Sequence, residues 1–207
     1  MDHLYKYSKI ALFINGEPPL IFPKERDYEK IFATDGAYRY LKETGISPDV
    51  VNGDWDSLET VNFPKGVQFI HTPDQNSTDF EKALQIIDEK GFKNVDVWGA
   101  SGREQDHFLG NLSVGLKYSQ KLSLRFYDNY YCYFFAEKLT ILPKVKGKMI
   151  SLFPFPETKG IDTKGLKYPL QGENLSLKGC ISTRNKAIKD QVKISYKSGS
   201  LLLFVER

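Results

Sequence analysis

Hydrophobic and polar positions alternate along the first two thirds of the chain as expected for strands and helices that follow one another. Short apolar runs of strand length are KIALFI, EKIFATD, PDVVNGD, VQFIHTP, NVDVWGA and LSLRFYD. Three helical segments lie among them: GAYRYLKETG, STDFEKALQIIDEKG and REQDHFLGNLSVGLKYSQ. Strands interspersed with helices are typical of a mainly parallel sheet. The pattern therefore predicts an N-terminal α/β domain.

The helical segments carry further local signals. In the second, apolar residues recur at the spacing of one helix face: Phe80, Ala83, Leu84 and Ile87. Thr78 and Glu81 form a capping-box pattern, and Gly45 and Gly91 are expected helix stops. In the third, we expect a shared apolar side from Phe108, Leu109, Leu112 and Leu116.

The pattern changes near Asn129, after which no helical stripe is found. Short β-rich runs follow: YYCYFFA, KLTIL, MISLFPF, LSLKGCIST, QVKISY and SLLLFVE. The KSGS segment between the last two is typical of a hairpin turn. We therefore expect an α/β domain over 1–129 and a small antiparallel all-β domain over 130–207. A sandwich is the expected architecture of the second domain, and a barrel is the alternative.

Composition narrows the class of protein. The 207 residues suit one large or two small domains, and 14 Phe and 12 Tyr can build a sizeable core. The net charge of +3, without a Lys/Arg block of five, predicts no nucleic-acid partner. No apolar run reaches 18 residues and the N-terminus is too polar for a signal peptide. We expect a soluble cytoplasmic protein without a membrane partner, with Cys132 and Cys180 reduced and buried.

Five aspartates fall where predicted strands give way to helices: Asp35, Asp54, Asp56, Asp79 and Asp106. Ligands of open parallel sheets bind outside the carboxyl ends of the strands, so we expect these acids to converge on one rim. Converging carboxylates repel one another and require a cation, and oxygen ligands favour Mg²⁺. Because Mg²⁺ usually shares its coordination with substrate phosphates, the set indicates a di- or triphosphate substrate.

Each acid also has an ordinary explanation when it is considered alone. Asp79 and Asp106 at helix starts are favoured by the helix dipole by about 0.3–1 kcal/mol each, and Asp35 suits a turn. His107 is a candidate general base, although a hydrogen-bonded structural histidine is the more common case. The familiar phosphate loops GxGxxG and GxxxxGK are missing. The GASG turn at 99–102 could approach a phosphate through its backbone N–H groups.

The ordered motifs TDGAYRYL, VNGDWDSLE, TPDQNSTDFEKAL, GASGREQDHFLGNL, GLKYPL and ISTRN resemble those of bacterial thiamin pyrophosphokinases. The resemblance runs from about residue 10 to the C-terminus. Its most specific parts are NGDWDS, TPDQNSTDFEKAL and, in the other domain, GLKYPL. It implies a homodimer with an α/β catalytic domain and a C-terminal sandwich for thiamin binding and dimerisation. It also implies Mg²⁺-dependent transfer of pyrophosphoryl from ATP to the thiamin hydroxyl.

The resemblance assigns roles by matching motif positions. Asp54, Asp56 and Asp79 would hold Mg²⁺ and the phosphates, and together with Asp106 they form the expected catalytic set. Nucleotide contacts would come from Asp35, Ser57, Thr78, Arg103, Gln105 and Asn111. Ser182 and Asn185 would contact thiamin from the partner subunit.

Three positions depart from the family pattern. Ala37 replaces a second glycine after DG, and Arg184 replaces a serine beside Asn185. Arg103 stands three residues before Asp106 instead of two, which rotates it by about 100° if the helix includes it. Other interpretations stay open: a transferase acting on a pterin alcohol or nucleotide sugar, a non-catalytic thiamin or nucleotide sensor, and a plain α/β-plus-β protein with solvated acidic loops.

Overall fold

The computed structural model of the chain describes residues 9–54 and 64–207. The described residues divide into two compact units, one ending at Asn129 and the other running from Tyr130 to Arg207. Within these ranges, no helix is long and apolar enough to cross a membrane.

The N-terminal unit is built on a parallel sheet, as the alternating pattern predicts. Its strands are β1 (Lys9–Phe13), β2 (Lys30–Thr34), β3 (Val50–Gly53), β4 (Gln68–His71), β5 (Asn94–Trp98) and β6 (Ser123–Tyr127). They lie in the order β4-β3-β2-β1-β5-β6, and every pair is parallel. The chain adds strands outward from β1 to β4 and then returns to the other side of β1. The order therefore reverses between β1 and β5, which is where open α/β sheets form a crevice.

The helices are α1 (Asp35–Thr44), α2 (Asp79–Glu89) and α3 (Gln105–Tyr118), with a short 3₁₀ helix at Glu25–Asp27. Gly45 ends α1 in the left-handed conformation at φ 77°, as predicted. Thr78 caps α2, because its hydroxyl accepts a hydrogen bond from the Glu81 N–H at 3.2 Å. The predicted apolar stripe of α2 is buried in full. Local sequence therefore accounts for both helices.

The prediction for α3 is wrong at Leu109, whose side chain is 61% exposed. The buried residues of this helix are Leu112, Val114, Gly115 and Tyr118. Their arc is centred roughly a quarter turn away from the predicted side, at about 100° per residue. The packing partners of α3, which the helix sequence does not specify, select that face.

The C-terminal unit consists of antiparallel strands in the described residues. They are β7 (Tyr131–Phe135), β8 (Leu139–Leu142), β9 (Met149–Lys164), β10 (Gln171–Ser176), β11 (Ser182–Lys186), β12 (Val192–Ser195) and β13 (Ser198–Glu206). The long strand β9 pairs with β10, β11, β12 and β13. Apolar residues from several of these strands form one buried cluster that includes Ile150, Leu152, Ile161, Ile194 and Leu203.

Strand β9 bends so strongly that both of its ends reach β11. At its start, Met149 pairs with Lys186. Just beyond its other end, Leu166 forms a bridge with Ala187, and the Lys167 N–H donates to the Lys186 carbonyl at 2.8 Å. A straight strand of this length would span about 50 Å. The meeting of its ends therefore shows that the sheet curls back on itself.

Several sequence expectations fail in this unit. LSLKGCIST is not one strand, because β10 ends at Ser176 and the Ser176 N–H donates to Cys180 O across a turn. Cys180 is exposed, contrary to expectation. KSGS is not a hairpin turn, since β12 and β13 both run antiparallel to β9 in one register, Ser195 opposite Asp162 and Ser198 opposite Lys159. The two strands share a partner instead of pairing with each other.

Candidate active site

A cleft of about 590 Å³ opens at the carboxyl ends of the parallel strands. Its walls come from segments that follow β1, β2, β3 and β5, together with the start of α2. Four of the five expected acids line it: Asp35, Asp54, Asp79 and Asp106. Asp56 and Ser57 lie outside the described residues. The cleft occupies the crevice at which the strand order reverses.

Asp35 is buried at the first turn of α1 and lies against the end of β3. One carboxylate oxygen accepts the Gly36 N–H at 2.6 Å. The other lies so close to Gly53 that a Cβ at that position would be 2.2 Å from it. Gly53 therefore lets the carboxylate rest on the strand backbone, which explains a glycine directly before Asp54.

Asp54 follows β3 and meets the loop that leads to α2. The Gln75 side-chain amide donates to the Asp54 carboxylate at 3.1 Å. Gln75 and its neighbours Asn76 and Ser77 also line the cleft. The TPDQNSTD motif therefore contributes neutral hydrogen-bonding groups as well as Asp79.

Asp79 is tied to the sheet and to a buried lysine. The Asn52 side-chain amide donates to the Asp79 carbonyl at 3.0 Å. The Lys82 ammonium donates to the Asp79 carboxylate at 3.2 Å and to the Thr72 carbonyl at 2.7 Å. Lys82 is only 8% exposed and lines the cleft. An ammonium has three donors, so one remains after these two contacts.

Lys82 was not identified from the sequence. The sequence feature that could have identified it is its position in the amphipathic helix, three residues after Asp79 and therefore on the same helix side. The buried side-chain oxygens that have no hydrogen-bond partner among the described residues include Thr34 Oγ1 and Asn52 Oδ1. Thr34 lines the cleft. Buried polar atoms are normally satisfied. Thr34 Oγ1 therefore marks a place on the cleft wall that can receive a polar ligand.

The loops after β1 and β5 pack backbone against backbone. The Gly16 N–H donates to Gly99 O at 2.7 Å, and the Glu17 N–H donates to Ser101 O at 2.8 Å. A Cβ on Gly16 would lie 2.2 Å from Gly99 O. The glycines of the Asn-Gly and GASG segments are therefore required by this close approach.

Arg103 lies on the turn before α3, not within the helix, and has φ 53°. Its guanidinium donates to Asn15 Oδ1 at 2.8 Å and to Asn15 O at 3.3 Å. Arg103 lines the main cleft and also an adjoining cavity of about 340 Å³, together with Arg39, Tyr40 and others. The extra residue before Asp106 therefore leaves the guanidinium at the cleft.

Tyr40 supports this wall. Its hydroxyl donates to the Ile14 carbonyl at 3.0 Å. Burial raises the pKa of Tyr40, and the charge of Arg103 opposes that rise. The phenol therefore stays a hydrogen-bond donor at neutral pH.

The remaining predicted residues of this unit differ in their surroundings. Asp106 is exposed and accepts the His107 N–H at 3.0 Å, while His107 Nε2 lies 3.7 Å from a Glu104 carboxylate oxygen. The Asn111 amide donates to the Ala100 carbonyl at 2.9 Å. Thr78, Asp106 and Asn111 line the cleft, whereas Gln105 is not among the described residues that do so.

The described residues contain no group of three or more His, Cys, Asp or Glu side chains close enough to hold a metal ion together. The expected third carboxylate, Asp56, lies outside them. Asp54 and Asp79 are the described members of the expected metal set, and both line the cleft.

In the C-terminal unit, Asn185 is buried and uses its amide internally. Its oxygen accepts the N–H groups of Tyr168 and Lys186 at 3.1 and 2.9 Å, and its amide nitrogen donates to the Tyr168 carbonyl at 2.6 Å. These bonds fix the GLKYPL segment. Ser182 is half-buried on β11, and Arg184 has φ 53° with its N–H donating to Ser151 Oγ at 2.9 Å.

Comparison with known proteins matches both units to one family. The family model described as thiamin pyrophosphokinase, catalytic domain, matches residues 25–127. The family model described as thiamin pyrophosphokinase, vitamin B1 binding domain, matches residues 138–201. The thiamine pyrophosphokinase of Bacillus subtilis is 28% identical over 172 residues, covering 79% of this chain and 80% of that protein. Thiamin pyrophosphokinase 1 of Caenorhabditis elegans is 28% identical over 222 residues, covering 95% and 88%.

Solved structures agree in fold. The thiamine pyrophosphokinase structure from Bacillus subtilis has a TM-score of 0.80 at 21% identity and covers 95% of this chain and 98% of its own. A thiamin pyrophosphokinase family protein from Enterococcus faecalis has a TM-score of 0.84 at 19% identity and covers 97% and 99%. With family models covering both units, the chain belongs to the thiamin pyrophosphokinase family.

Proposed function

We propose that the cleft of the N-terminal unit is where this chain carries out the transfer reaction of its family. The chain is an enzyme that transfers the pyrophosphoryl group of ATP to the hydroxyl of thiamin, giving thiamin diphosphate and AMP. The observation that supports the location is the gathering of Asp35, Asp54, Asp79 and Asp106, from four separate segments, around one cleft inside the matched catalytic domain.

In the proposed step, the thiamin hydroxyl oxygen attacks the β-phosphorus of ATP. The bond from that phosphorus to the oxygen bridging the α-phosphate breaks, and AMP leaves with the electron pair. The hydroxyl proton passes to a carboxylate. Asp106 suits this role best, because it is exposed in the cleft, whereas Asp79 is paired with Lys82. Catalysis of this kind depends on positioning and on stabilising charge on phosphoryl oxygens.

We propose that Asp54 and Asp79, with Asp56, hold Mg²⁺. The donors present fit this ion, since they are oxygen atoms and Mg²⁺ takes only one or two protein carboxylates beside substrate phosphates. When bound, Mg²⁺ offsets the negative charge of those phosphates. Lys82 and Arg103 would add two fixed positive charges to the lining of the cleft. Both are oriented by the protein, through Thr72 and Asn15 respectively.

For the C-terminal unit we propose the sandwich architecture expected from the sequence. We also propose that residues 1–129 form the catalytic domain and residues 130–207 the thiamin-binding and dimerisation domain of a cytoplasmic homodimer. The curling of β9 and the buried apolar cluster shared by several strands support a sandwich. Ser182 is the proposed thiamin contact. Asn185 is better explained as a positioning residue, because its amide is engaged with Tyr168.

The direct test is to mix the protein with ATP, Mg²⁺ and thiamin and to detect thiamin diphosphate and AMP by mass spectrometry. A pterin alcohol and a nucleotide sugar replace thiamin in parallel reactions. The family match disfavours both alternatives and a sensor without catalytic activity. Product from thiamin alone is expected, and product from another acceptor alone would refute the proposed substrate.

The location is tested separately by Asp54→Asn, which keeps the shape of the side chain but removes its charge. We expect AMP formation to fall at least ~10²-fold, the scale of losing a positioned electrostatic group. Asp74→Asn is the matched control, because Asp74 lies in the neighbouring loop. In the described residues, the observed hydrogen bonds to its carboxylate come from Asn76. If Asp54→Asn forms AMP at the same near-normal rate as Asp74→Asn, Asp54 is not part of the site.

A further inference from the structure

The small net charge of the chain hides a strong difference between its two parts. Residues 130–207 carry 14 Lys and Arg against 6 Asp and Glu, whereas residues 1–129 carry 15 against 20. The excess of positive charge is therefore confined to the C-terminal unit. Its distribution there indicates a binding surface.

Two of these lysines face each other across neighbouring strands. Lys164 of β9 is directly opposite Lys193 of β12, and both are exposed. Directly opposite residues project from the same face with Cβ atoms about 4.5–5.5 Å apart, and like charges in such a pair are destabilising. The fold tolerates this repulsion without a carboxylate at ion-pair distance from either lysine in the described residues.

Backbone hydrogen bonds bring further lysines to the same end of the unit. The Lys189 N–H donates to Gly165 O at 3.3 Å, directly after Lys164. The Val145 N–H donates to Asp190 O at 3.0 Å, which places the 144–147 loop beside Lys189. We define the lysine surface as the exposed side chains of this region: Lys144, Lys146, Lys164, Lys189 and Lys193. The acids of the same segments are Asp162 and Asp190.

Exposed aliphatic side chains lie among these charges. Ile141 of β8 is directly opposite Lys193 and is 44% exposed. Ile188 precedes Lys189 and is 48% exposed. The surface therefore combines ammonium groups with branched apolar side chains that the unit does not bury.

Although composition alone predicts no membrane partner, we propose that the lysine surface docks the enzyme onto an acidic lipid bilayer. Clusters of four to eight cationic side chains bind anionic leaflets, and adjacent apolar side chains add contact with the acyl boundary. Lysine is a compact point charge that suits a diffuse anionic layer, whereas nucleic acids favour arginine forks and aromatic stacking. The five cations are all lysines, and the apolar neighbours Ile141 and Ile188 are aliphatic. None of the five lysines is among the described residues that line the catalytic cleft.

The test is co-sedimentation of the full chain with vesicles of phosphatidylglycerol and phosphatidylcholine in equal parts, compared with pure phosphatidylcholine. We expect binding to the acidic vesicles that weakens as salt is raised, and no binding to the neutral ones. The double variant Lys164→Glu/Lys193→Glu should bind acidic vesicles at least ~20-fold more weakly, since each cation near such a surface contributes roughly a factor of five. Its rate of AMP formation without vesicles should match that of the wild type.

The matched control is Lys24→Glu/Lys65→Glu, which makes the same change in net charge with two exposed lysines of the N-terminal unit. It should retain vesicle binding. The proposal is overturned if both double variants lose binding equally, because net charge alone would then explain the effect. It is also overturned if neutral vesicles bind as well as acidic ones, or if a single-stranded oligonucleotide binds the protein more tightly than the vesicles do.

Discussion

Replacing Lys82 with methionine tests whether the buried ammonium both holds the cleft together and acts on the substrate. The substitution keeps a long apolar side chain but removes the donor to the Thr72 carbonyl, at 2.7 Å, and to the Asp79 carboxylate, at 3.2 Å. Losing a charged donor to a partly buried carbonyl costs about 1–3 kcal/mol. The ion pair adds little, about 0.2–1 kcal/mol, because the Asp79 side chain is 34% exposed and solvent screens it.

Together the two losses lower the free energy of unfolding by about 2.5 kcal/mol. For a chain of this length each kcal/mol shifts the melting temperature by about 2–4 °C, so we expect Tm to fall by about 5–10 °C. If the third donor of Lys82 also contacts the triphosphate, kcat/KM for ATP should fall by about 10²-fold. ATP should then raise the Tm of the variant less than that of the wild type.

Scanning calorimetry and a coupled AMP assay measure the two effects. Lys117→Met is the control, because Lys117 contacts Glu81 at 2.5 Å but is 67% exposed, and its loss should change neither quantity. A lowered Tm with unchanged kcat/KM would show that Lys82 is structural and does not act on the nucleotide. An unchanged Tm would refute the energetic reasoning from its two contacts.

Three further outcomes are expected. Gly53→Ala should lower AMP formation by at least ~10-fold with a modest fall in Tm, because its Cβ would lie 2.2 Å from the Asp35 carboxylate and displace it; unchanged activity would contradict this. Leu112→Ala should destabilise the protein by about 2–5 kcal/mol in urea unfolding, whereas Leu109→Ala, at an exposed position, should be nearly neutral; equal effects would contradict the buried face of α3. Burial raises the pKa of Tyr40 in the folded protein. The unfolded chain therefore ionises first, so the stability contributed by Tyr40 is full below the ordinary tyrosine pKa of about 10 and is lost as pH rises above it. Tyr40→Phe should reduce that alkaline loss of stability in unfolding titrations.

Local sequence predicted the elements whose signals are complete within a few residues. The apolar stripe of α2, its Thr78 cap and the Gly45 stop depend on spacing along one helix, and all three are present. The parallel N-terminal sheet also follows from strand and helix alternation. The face of α3 and the pairing of β12 with β9 were missed, because each depends on a partner far away in the chain.

The candidate site divides in the same way. The ordered aspartates could be identified from motif positions, and the structure places four of them around one cleft. The roles of Gln75, Lys82 and Asn15 could not, since their partners Asp54, Thr72 and Arg103 are brought to them by folding. A lysine in an amphipathic helix is ordinarily solvated, and only its neighbours in space make it a buried donor.

By itself, the sequence determined the alternation of elements, the change of class near Asn129 and the family to which the motifs belong. Only the tertiary structure decided which charges are neighbours. No block of five basic residues occurs in the chain, yet strand pairing and loop contacts gather Lys144, Lys164, Lys189 and Lys193 at one end of a unit. The physical reason is that periodicity is a property of adjacent residues, whereas burial and electrostatic environment are set by segments that meet only when the chain folds.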